Sequence, residues 1–202
     1  MTKTILLASA LLTAMAAAPA MAQGQTPAET IRRATSALPA ALRDGATVVS
    51  YDAKGAPQIL RQGNNHIFCT DNSNAEGFNA NCRGDAMRAS ADFQALERAQ
   101  GKDAKALQAD MDAAYASGKL KRPPVGTMTY QRSGKTEAEA RSMWRMMVPN
   151  QTGEDLAIST KRVNSSSPWI MYSGQPGAHI MMPQSASMDE MPPAPRPAAG
   201  GM

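Results

Sequence analysis

Alternating and apolar segments in the first part of the chain predict a helix followed by a small β-sheet. Thr26 and Glu29 around Pro27 are typical of a helix start, because threonine caps the first turn and proline fits its first position. We expect this helix to end near Ala37, before Pro39. Three apolar or β-branched segments bounded by turn residues then predict strands, at 47–51, 58–61 and 67–70.

Helical periodicity dominates the middle of the chain. Apolar residues recur at three- and four-residue spacing in 86–96 and again in 104–114, and Asp103 is a suitable cap for the second segment. Pro123 and Pro124 mark a boundary, after which 125–130 has the composition of a short strand. The pattern predicts two helices inserted between strands.

A capping box at 136–139 predicts a further helix, because apolar residues follow it at helical spacing. These residues are Ala140, Met143, Trp144, Met147 and Val148, and Pro149 ends the run. Strand-like segments follow at 156–160, 169–172 and 179–182. Since strands and helices occur without a regular βαβ order, we expect an α+β fold with a small, mainly antiparallel sheet and a helical insertion.

The first 22 residues predict a cleavable bacterial secretory signal peptide. Lys3 gives a positive start, residues 5–18 are uncharged and apolar, and Ala20 and Ala22 form a small-residue cleavage site. The apolar core is shorter than the about 20 residues that span a bilayer, and no cysteine follows it. We therefore expect no membrane anchor and a periplasmic or secreted product.

The last part of the chain changes in composition. Residues 184–202 are rich in Pro, Ala, Ser, Met and Gly, which predicts a disordered tail because such a segment buries too little apolar surface to offset its ordering entropy. One exported domain at 26–183 remains.

Two cysteines, Cys69 and Cys82, lie in the exported part. An even count in an oxidising compartment favours a disulfide. The segment between them is rich in Asn, Asp and Gly, so we expect no packed element there. A redox pair would need Cys-x-x-Cys and a zinc site a matching His pair, so the sequence predicts a structural disulfide.

The charge balance excludes a nucleic-acid partner. Without Lys3 the chain has 20 basic and 17 acidic residues, and the basic ones are scattered rather than clustered. Aromatic residues make up only 4% of the chain, so the core must use aliphatic side chains. No motif calls for a cofactor.

Methionine is abundant, with 15 residues in all. Thioether and imidazole groups together bind Cu(I) outside the cytoplasm. The C-terminal segment groups such residues, namely His179, Met181, Met182, Met188 and Met191. Other methionines lie on apolar faces and are explained as core residues. Cu(I) binding through the C-terminal segment therefore stays an alternative function.

No catalytic motif is complete. Residues 133–136 resemble the end of a phosphate-binding loop, but Thr129 stands where that loop needs a glycine. The chain has two histidines, His66 and His179, and no Gly-x-Ser-x-Gly. A hydrolase with an unrecognised carboxylate or histidine site stays open as a second alternative.

Three features together resemble an uncharacterised family of exported bacterial proteins. They are the run Leu60-Arg61-Gln62-Gly63-Asn64-Asn65, the two spaced cysteines, and the late His179-Ile180-Met181. The family pattern is Leu-Arg-x-Gly-x-Asn, an aromatic residue, two cysteines and Pro-His-x-Met. In this chain Phe68 is the aromatic residue and Ala178 replaces the proline.

The resemblance covers about 48–182 and implies one secreted domain. It makes Arg61, Asn65 and His179 the polar positions expected to contact a ligand, and it implies no activity. We therefore expect a non-enzymatic protein that binds a protein or small-molecule partner in the cell envelope.

Overall fold

An eight-stranded sheet is the centre of the protein in the computed structural model, which describes residues 25–184. The strands are β1 (Thr47–Tyr51), β2 (Pro57–Arg61), β3 (Ile67–Asp71), β4 (Phe78–Gly84), β5 (Met128–Gly134), β6 (Arg141–Met147), β7 (Trp169–Met171) and β8 (His179–Pro183). The helices are α1 (Pro27–Thr35), α2 (Ala40–Arg43), α3 (Arg88–Ala99) and α4 (Ala104–Ala116), with a 3₁₀ turn at Asp85–Met87.

The strand order in the sheet is β2-β1-β3-β4-β5-β6-β8-β7. All neighbours are antiparallel except β1 and β3, which are parallel. Helices α3 and α4 are inserted between β4 and β5. This architecture confirms the predicted α+β class.

Helix starts and the first strands follow the sequence pattern. The Thr26 hydroxyl accepts the backbone N–H of Glu29 at 3.2 Å, and the Asp103 carboxylate accepts the N–H of Ala106 at 2.8 Å. Strand β1 has the predicted bounds, and β2 and β3 each extend one residue beyond theirs. Local capping residues and β-branched segments were sufficient to predict these helix starts and strands.

The two faces of the sheet pack against different helices. Side chains alternate between faces along each strand. On the first, called the α1 face, Cys69, Cys82 and their neighbours pack against Ala34 and Leu38. On the second, called the α3 face, Phe68 and Val49 pack against Ala91.

The predicted disulfide is present, but the prediction about the segment it closes is wrong. Cys69 and Cys82 are bonded with their Cα atoms 4.0 Å apart, and both are fully buried on the α1 face. Strand β4 begins within this segment and pairs with β3, so the cysteines are direct cross-strand partners. Of the asparagines in this segment, Asn79 and Asn81 lie on a polar face of β4, whereas Asn72 and Asn74 lie in the turn before it.

The helix predicted after Thr136 is wrong, because this segment forms strand β6. The capping contacts do form: Glu139 N–H donates to the Thr136 hydroxyl at 3.3 Å. They close a turn that leads into a strand. Strand β6 pairs with β5 on one side and β8 on the other, so its backbone hydrogen bonds are made within the sheet.

The strand predicted at 156–160 is also wrong. This segment forms turns, in which Asp155 accepts the hydroxyl and N–H of Thr152 at 2.7 and 3.1 Å. Leu156 and Ile158 pack from these turns onto the α1 face near Ile170. Their apolar character therefore reflects burial without strand pairing.

Both predicted terminal segments lie outside the described residues, the signal peptide at 1–22 entirely and the tail at 184–202 from residue 185 onward. Among the helices within 25–184, none is long and apolar enough to cross a membrane.

Candidate functional site

A cavity of about 660 Å³ lies between the α3 face of the sheet and helix α3. Alanines on α3, at positions 91, 95 and 99, face it and keep the helix side shallow. The lining residues are Tyr51, Asp52, Ala53 and Gly55 after β1, Thr70, Asn72, Ser73 and Asn74 around the end of β3, Asn79, Asn81 and Arg83 of β4, Ala91, Ala95, Arg98 and Ala99 of α3, Gln131 of β5 and Arg145 of β6. Small-molecule sites commonly have volumes of about 300–1,000 Å³.

Strand register places the polar floor residues in rows. Arg83 lies opposite Thr129, and Thr129 lies opposite Arg145, so these three share one row on the α3 face. Asn81 and Gln131 are direct partners in the next row. Because directly opposite residues point to the same face, the two arginines flank the threonine.

The cavity lining is positively charged. Arg83, Arg98 and Arg145 contribute three positive charges and Asp52 one negative charge, a formal total of +2. Within 25–184 no carboxylate forms an ion pair with any of these arginines. The Asp52 carboxylate accepts backbone N–H groups of Lys54 and Ala56 at 2.8 and 2.9 Å, which ties it to its own turn.

Two buried polar atoms in the arginine row have no hydrogen-bond partner among the described residues. They are the hydroxyl oxygen of Thr129 and Nε of Arg145. The other end of the Arg145 guanidinium donates to Oε1 of Gln131 at 3.2 Å. Burying polar groups without partners costs free energy, so these two atoms lower the stability of the free protein.

Burial also perturbs the two arginines electrostatically. Desolvation, with a smaller contribution from the positive charge of Arg145, lowers the pKa of Arg83 to about 10. Burial likewise lowers the pKa of Arg145. The Arg83 group remains charged at neutral pH, so a half-buried cation without a counter-ion faces the cavity.

A network of amides lies beside the arginines. Oδ1 of Asn79 accepts from Nδ2 of Asn81 at 2.8 Å and from Nε2 of Gln131 at 3.2 Å. Among the described residues, Nδ2 of Asn79 and Oδ1 of Asn81 then have no hydrogen-bond partner. The floor therefore offers a free amide donor and a free amide acceptor next to the positive charges.

The resemblance-derived residues Arg61 and Asn65 make contacts within the chain. The Arg61 guanidinium donates to the carbonyl oxygens of Ala46, at 3.1 and 3.2 Å, and of Arg43. Nδ2 of Asn65 donates to the Leu42 carbonyl at 2.8 Å. Their polar groups stabilise the connection between α2 and β1.

The structure does not bring these residues close to His179. Arg61 is on β2 and His179 on β8, with five strands between them. His66 precedes β3 and its side chain is 91% exposed, near Asp85. Neither Arg61 nor His66 shares a site with His179, so the two histidines do not form one catalytic site in this structure.

The predicted copper ligands are divided between the two faces. His179 and Met181 lie on the α3 face, whereas Met182 lies on the α1 face, where it packs near Ile170. Met188 and Met191 lie outside the described residues. Within the described part, no group of three or more His, Cys, Asp or Glu residues could hold a metal ion.

Sequence reasoning missed the arginine-lined cavity because two elements were misassigned. Asn79, Asn81 and Arg83 alternate with buried Ala80 and Cys82, which is the period of a strand with one polar face. That signal was present in the segment expected to be irregular. Arg145 was hidden by the expectation of a helix.

The resemblance to a family of exported bacterial proteins stays a prediction. No family model matches the chain, and no curated protein or solved structure matches it significantly.

Proposed function

We propose that this protein is an exported, non-enzymatic binding protein for a small organic anion, which occupies the cavity above Arg83 and Arg145. One observation carries the proposal. Two half-buried arginines flank Thr129 on the cavity floor, and no carboxylate among the described residues pairs with them. Charges in this position are costly in the free protein and become favourable when an anion pairs with them.

The lining chemistry favours an oxyanion on a polar, hydroxylated body. Guanidinium groups bind carboxylate or phosphate oxygens with paired, charge-assisted hydrogen bonds. The unused donor of Asn79 and the unused acceptor of Asn81 suit hydroxyl groups next to that anion. Sugar acids and sugar phosphates combine both features and are compatible with a cavity of about 660 Å³.

The compartment is part of the same proposal. A disulfide persists in oxidising compartments, so the Cys69–Cys82 bond supports export, as does the signal-peptide pattern at residues 1–22. The cavity lining combines arginines, amides and hydroxyl groups with one carboxylate, and it contains no histidine or cysteine. This inventory supports binding more than catalysis.

Isothermal titration of the purified protein would test the proposal. The probes are galacturonate, gluconate, glucose 6-phosphate, citrate, inorganic phosphate and sulfate, with neutral glucose as the uncharged comparison. We expect at least one organic anion to bind at one site per chain and glucose not to bind. Binding of carboxylates and not phosphates, or the reverse, would identify the anionic group.

Matched variants decide where the ligand binds. Arg83→Met and Arg145→Met should each weaken binding by at least about tenfold, because each removes a charge-assisted contact. Arg141→Met is the control, since Arg141 is exposed on the same strand as Arg145 but does not line the cavity. If no anion binds, or if all three variants bind alike, the proposal is wrong.

A further inference from the structure

A second cluster lies on the α3 face near the β7 edge of the sheet. Helix α3 packs on the same face, but against β1 and β3. Strand register places His179 of β8 directly opposite Met147 of β6 and directly opposite Met171 of β7. These three residues therefore form one row across three adjacent strands, called the Met–His row. Opposite side chains in antiparallel strands have Cβ atoms about 4.5–5.5 Å apart, within reach of a common bound ion.

The ring of His179 is oriented by its own backbone. Its Nδ1 lies 2.9 Å from the carbonyl oxygen of Gly177. Because a carbonyl only accepts hydrogen bonds, Nδ1 carries the proton of the neutral ring and Nε2 keeps its lone pair. Histidines that bind metals are commonly held in this way, with the non-ligating nitrogen donating to a carbonyl or carboxylate.

One side of the His179 imidazole is covered by an aromatic ring. The ring of Tyr172 packs against the imidazole, with centroids 5.6 Å apart. All three residues of the Met–His row are partly exposed, so an ion can reach them from solvent.

We propose that Met147, Met171 and His179 form a surface site for Cu(I). Two thioethers and one imidazole are soft or borderline ligands, a set that favours Cu(I) over Mg²⁺, Ca²⁺ or Mn²⁺, which take oxygen ligands. A monovalent ion is repelled less than a divalent ion by the nearby Arg145 charge. The Arg145 guanidinium donates to Gln131 on β5, so it is directed away from β8, where His179 lies.

The site is separate from the anion cavity, whose lining includes none of these three residues. It also differs from Cu(I) binding through the C-terminal segment, because two of its three ligands come from β6 and β7. Only His179 is common to both hypotheses. The two can therefore be distinguished by substitution.

Anaerobic titration with Cu(I), in competition with the chromophoric chelator bicinchoninate, tests the site on the full chain. We expect one ion per chain in a competition-resistant site. Met147→Leu and Met171→Leu remove sulfur at nearly constant volume, and each should weaken binding by about tenfold or more. Removing a hydrogen bond that only supports a metal ligand already costs about tenfold or more in affinity, so removing a ligand should cost at least as much. His179→Asn should abolish binding.

Two controls separate this site from other methionines. Met182→Leu changes a methionine of the same strand as His179 that lies on the α1 face, and it should leave the affinity unchanged. A triple variant of Met188, Met191 and Met202 to leucine removes the last three methionines of the chain and should also retain binding. Loss of binding in the triple variant, with full binding in Met147→Leu and Met171→Leu, would assign copper to the C-terminal segment and overturn the proposal.

X-ray absorption of the copper-loaded wild-type protein gives an answer that does not depend on variant folding. The expected first shell contains two sulfur atoms and one nitrogen atom. A shell without sulfur, or the absence of competition-resistant binding, would exclude the site.

Discussion

Arg83 and Arg145 lie on the same face of the sheet, with only Thr129 between them in their row. Adjacent strands are separated by about 4.8 Å, so the two backbones are about 10 Å apart. Both side chains are partly buried, and the charge of Arg145 contributes to the lowered pKa of Arg83. Like charges held in this way oppose folding, and the proposed binding of an anion would give them a counter-ion.

Replacing one of these charges should stabilise the free protein. We expect Arg83→Met to raise the free energy of unfolding by about 1 kcal/mol, because it removes a desolvated charge and its repulsion with Arg145 while keeping apolar volume. Urea denaturation at neutral pH without added anions measures the change.

The matched control for Arg83→Met is an arginine that has partners. Arg33 forms an ion pair with Asp71 at 2.7 Å, and its guanidinium lies 4.9 Å from the centre of the Phe78 ring. Because the Asp71 side chain is only 5% exposed, Arg33→Met should lower the free energy of unfolding by about 3 kcal/mol. If Arg83→Met destabilises the protein as strongly, Arg83 has a structural role.

The Thr129 hydroxyl provides a second test of the same row. It is buried and has no hydrogen-bond partner among the described residues, so Thr129→Val should leave the stability unchanged or raise it by up to about 1 kcal/mol. Thr47→Val is the comparison, because the Thr47 hydroxyl accepts the N–H of Gly63 at 3.1 Å and its removal should destabilise. Thermal unfolding monitored by circular dichroism measures both, and equal losses would contradict the expectation.

Acid should weaken the attachment of α1 to the turn between β5 and β6. The Glu137 carboxylate accepts from the Arg32 guanidinium at 2.7 and 2.9 Å, and this contact, more than any other, lowers the pKa of Glu137 below its usual value of 4.5. A carboxylate with a lowered pKa in the folded state stabilises at neutral pH, and that contribution is lost as the pH falls below 4.5 and through the lowered value. Glu137→Gln should therefore cost at most about 1 kcal/mol at neutral pH and nothing in acid.

Urea denaturation at several pH values between neutrality and strong acid measures this difference. Glu154→Gln serves as the control, since Glu154 is exposed and has no ion pair within the described structure, and it should show no such dependence. A difference between wild type and Glu137→Gln that persists in acid would show that the carboxylate charge is not the cause.

The sequence predicted elements whose formation depends on local chemistry. The Thr26 and Asp103 caps and the β-branched segment at Thr47–Tyr51 are local signals, and the corresponding helices and strand form as expected. Strand β6 could not be predicted in this way. Its capping turn and apolar spacing satisfy a helix equally well, and the choice depends on pairing with β5 and β8.

The candidate site was unpredictable for a related reason. Arg83 and Arg145 are 62 positions apart in the sequence, and only the register through Thr129 brings them into one row. Conversely, a clear local sequence pattern did not identify the cavity residues. Arg61 and Asn65 form a recognisable local pattern, yet in the structure both bind backbone carbonyls of the preceding segment.

Gly63 in that pattern is required by a close approach of two backbones. A Cβ atom at this position would lie 2.2 Å from the carbonyl oxygen of Gly45 and 2.4 Å from the carbonyl carbon of Ala46. Both are backbone atoms, so the clash cannot be relieved by a side-chain rotation. Relief would require the strand end near Arg61 to separate from this segment, which would weaken the Arg61 and Asn65 hydrogen bonds.

Gly63→Ala should accordingly lower the free energy of unfolding by at least about 3 kcal/mol. Gly177→Ala is the matched control, because a Cβ atom there would meet nothing within 4 Å, and we expect a change within about 0.5 kcal/mol. Urea denaturation of both variants at neutral pH makes the comparison. A Gly63→Ala protein as stable as the control would mean that the two backbones are not held this closely, and the structural role assigned to Arg61 and Asn65 would then be wrong.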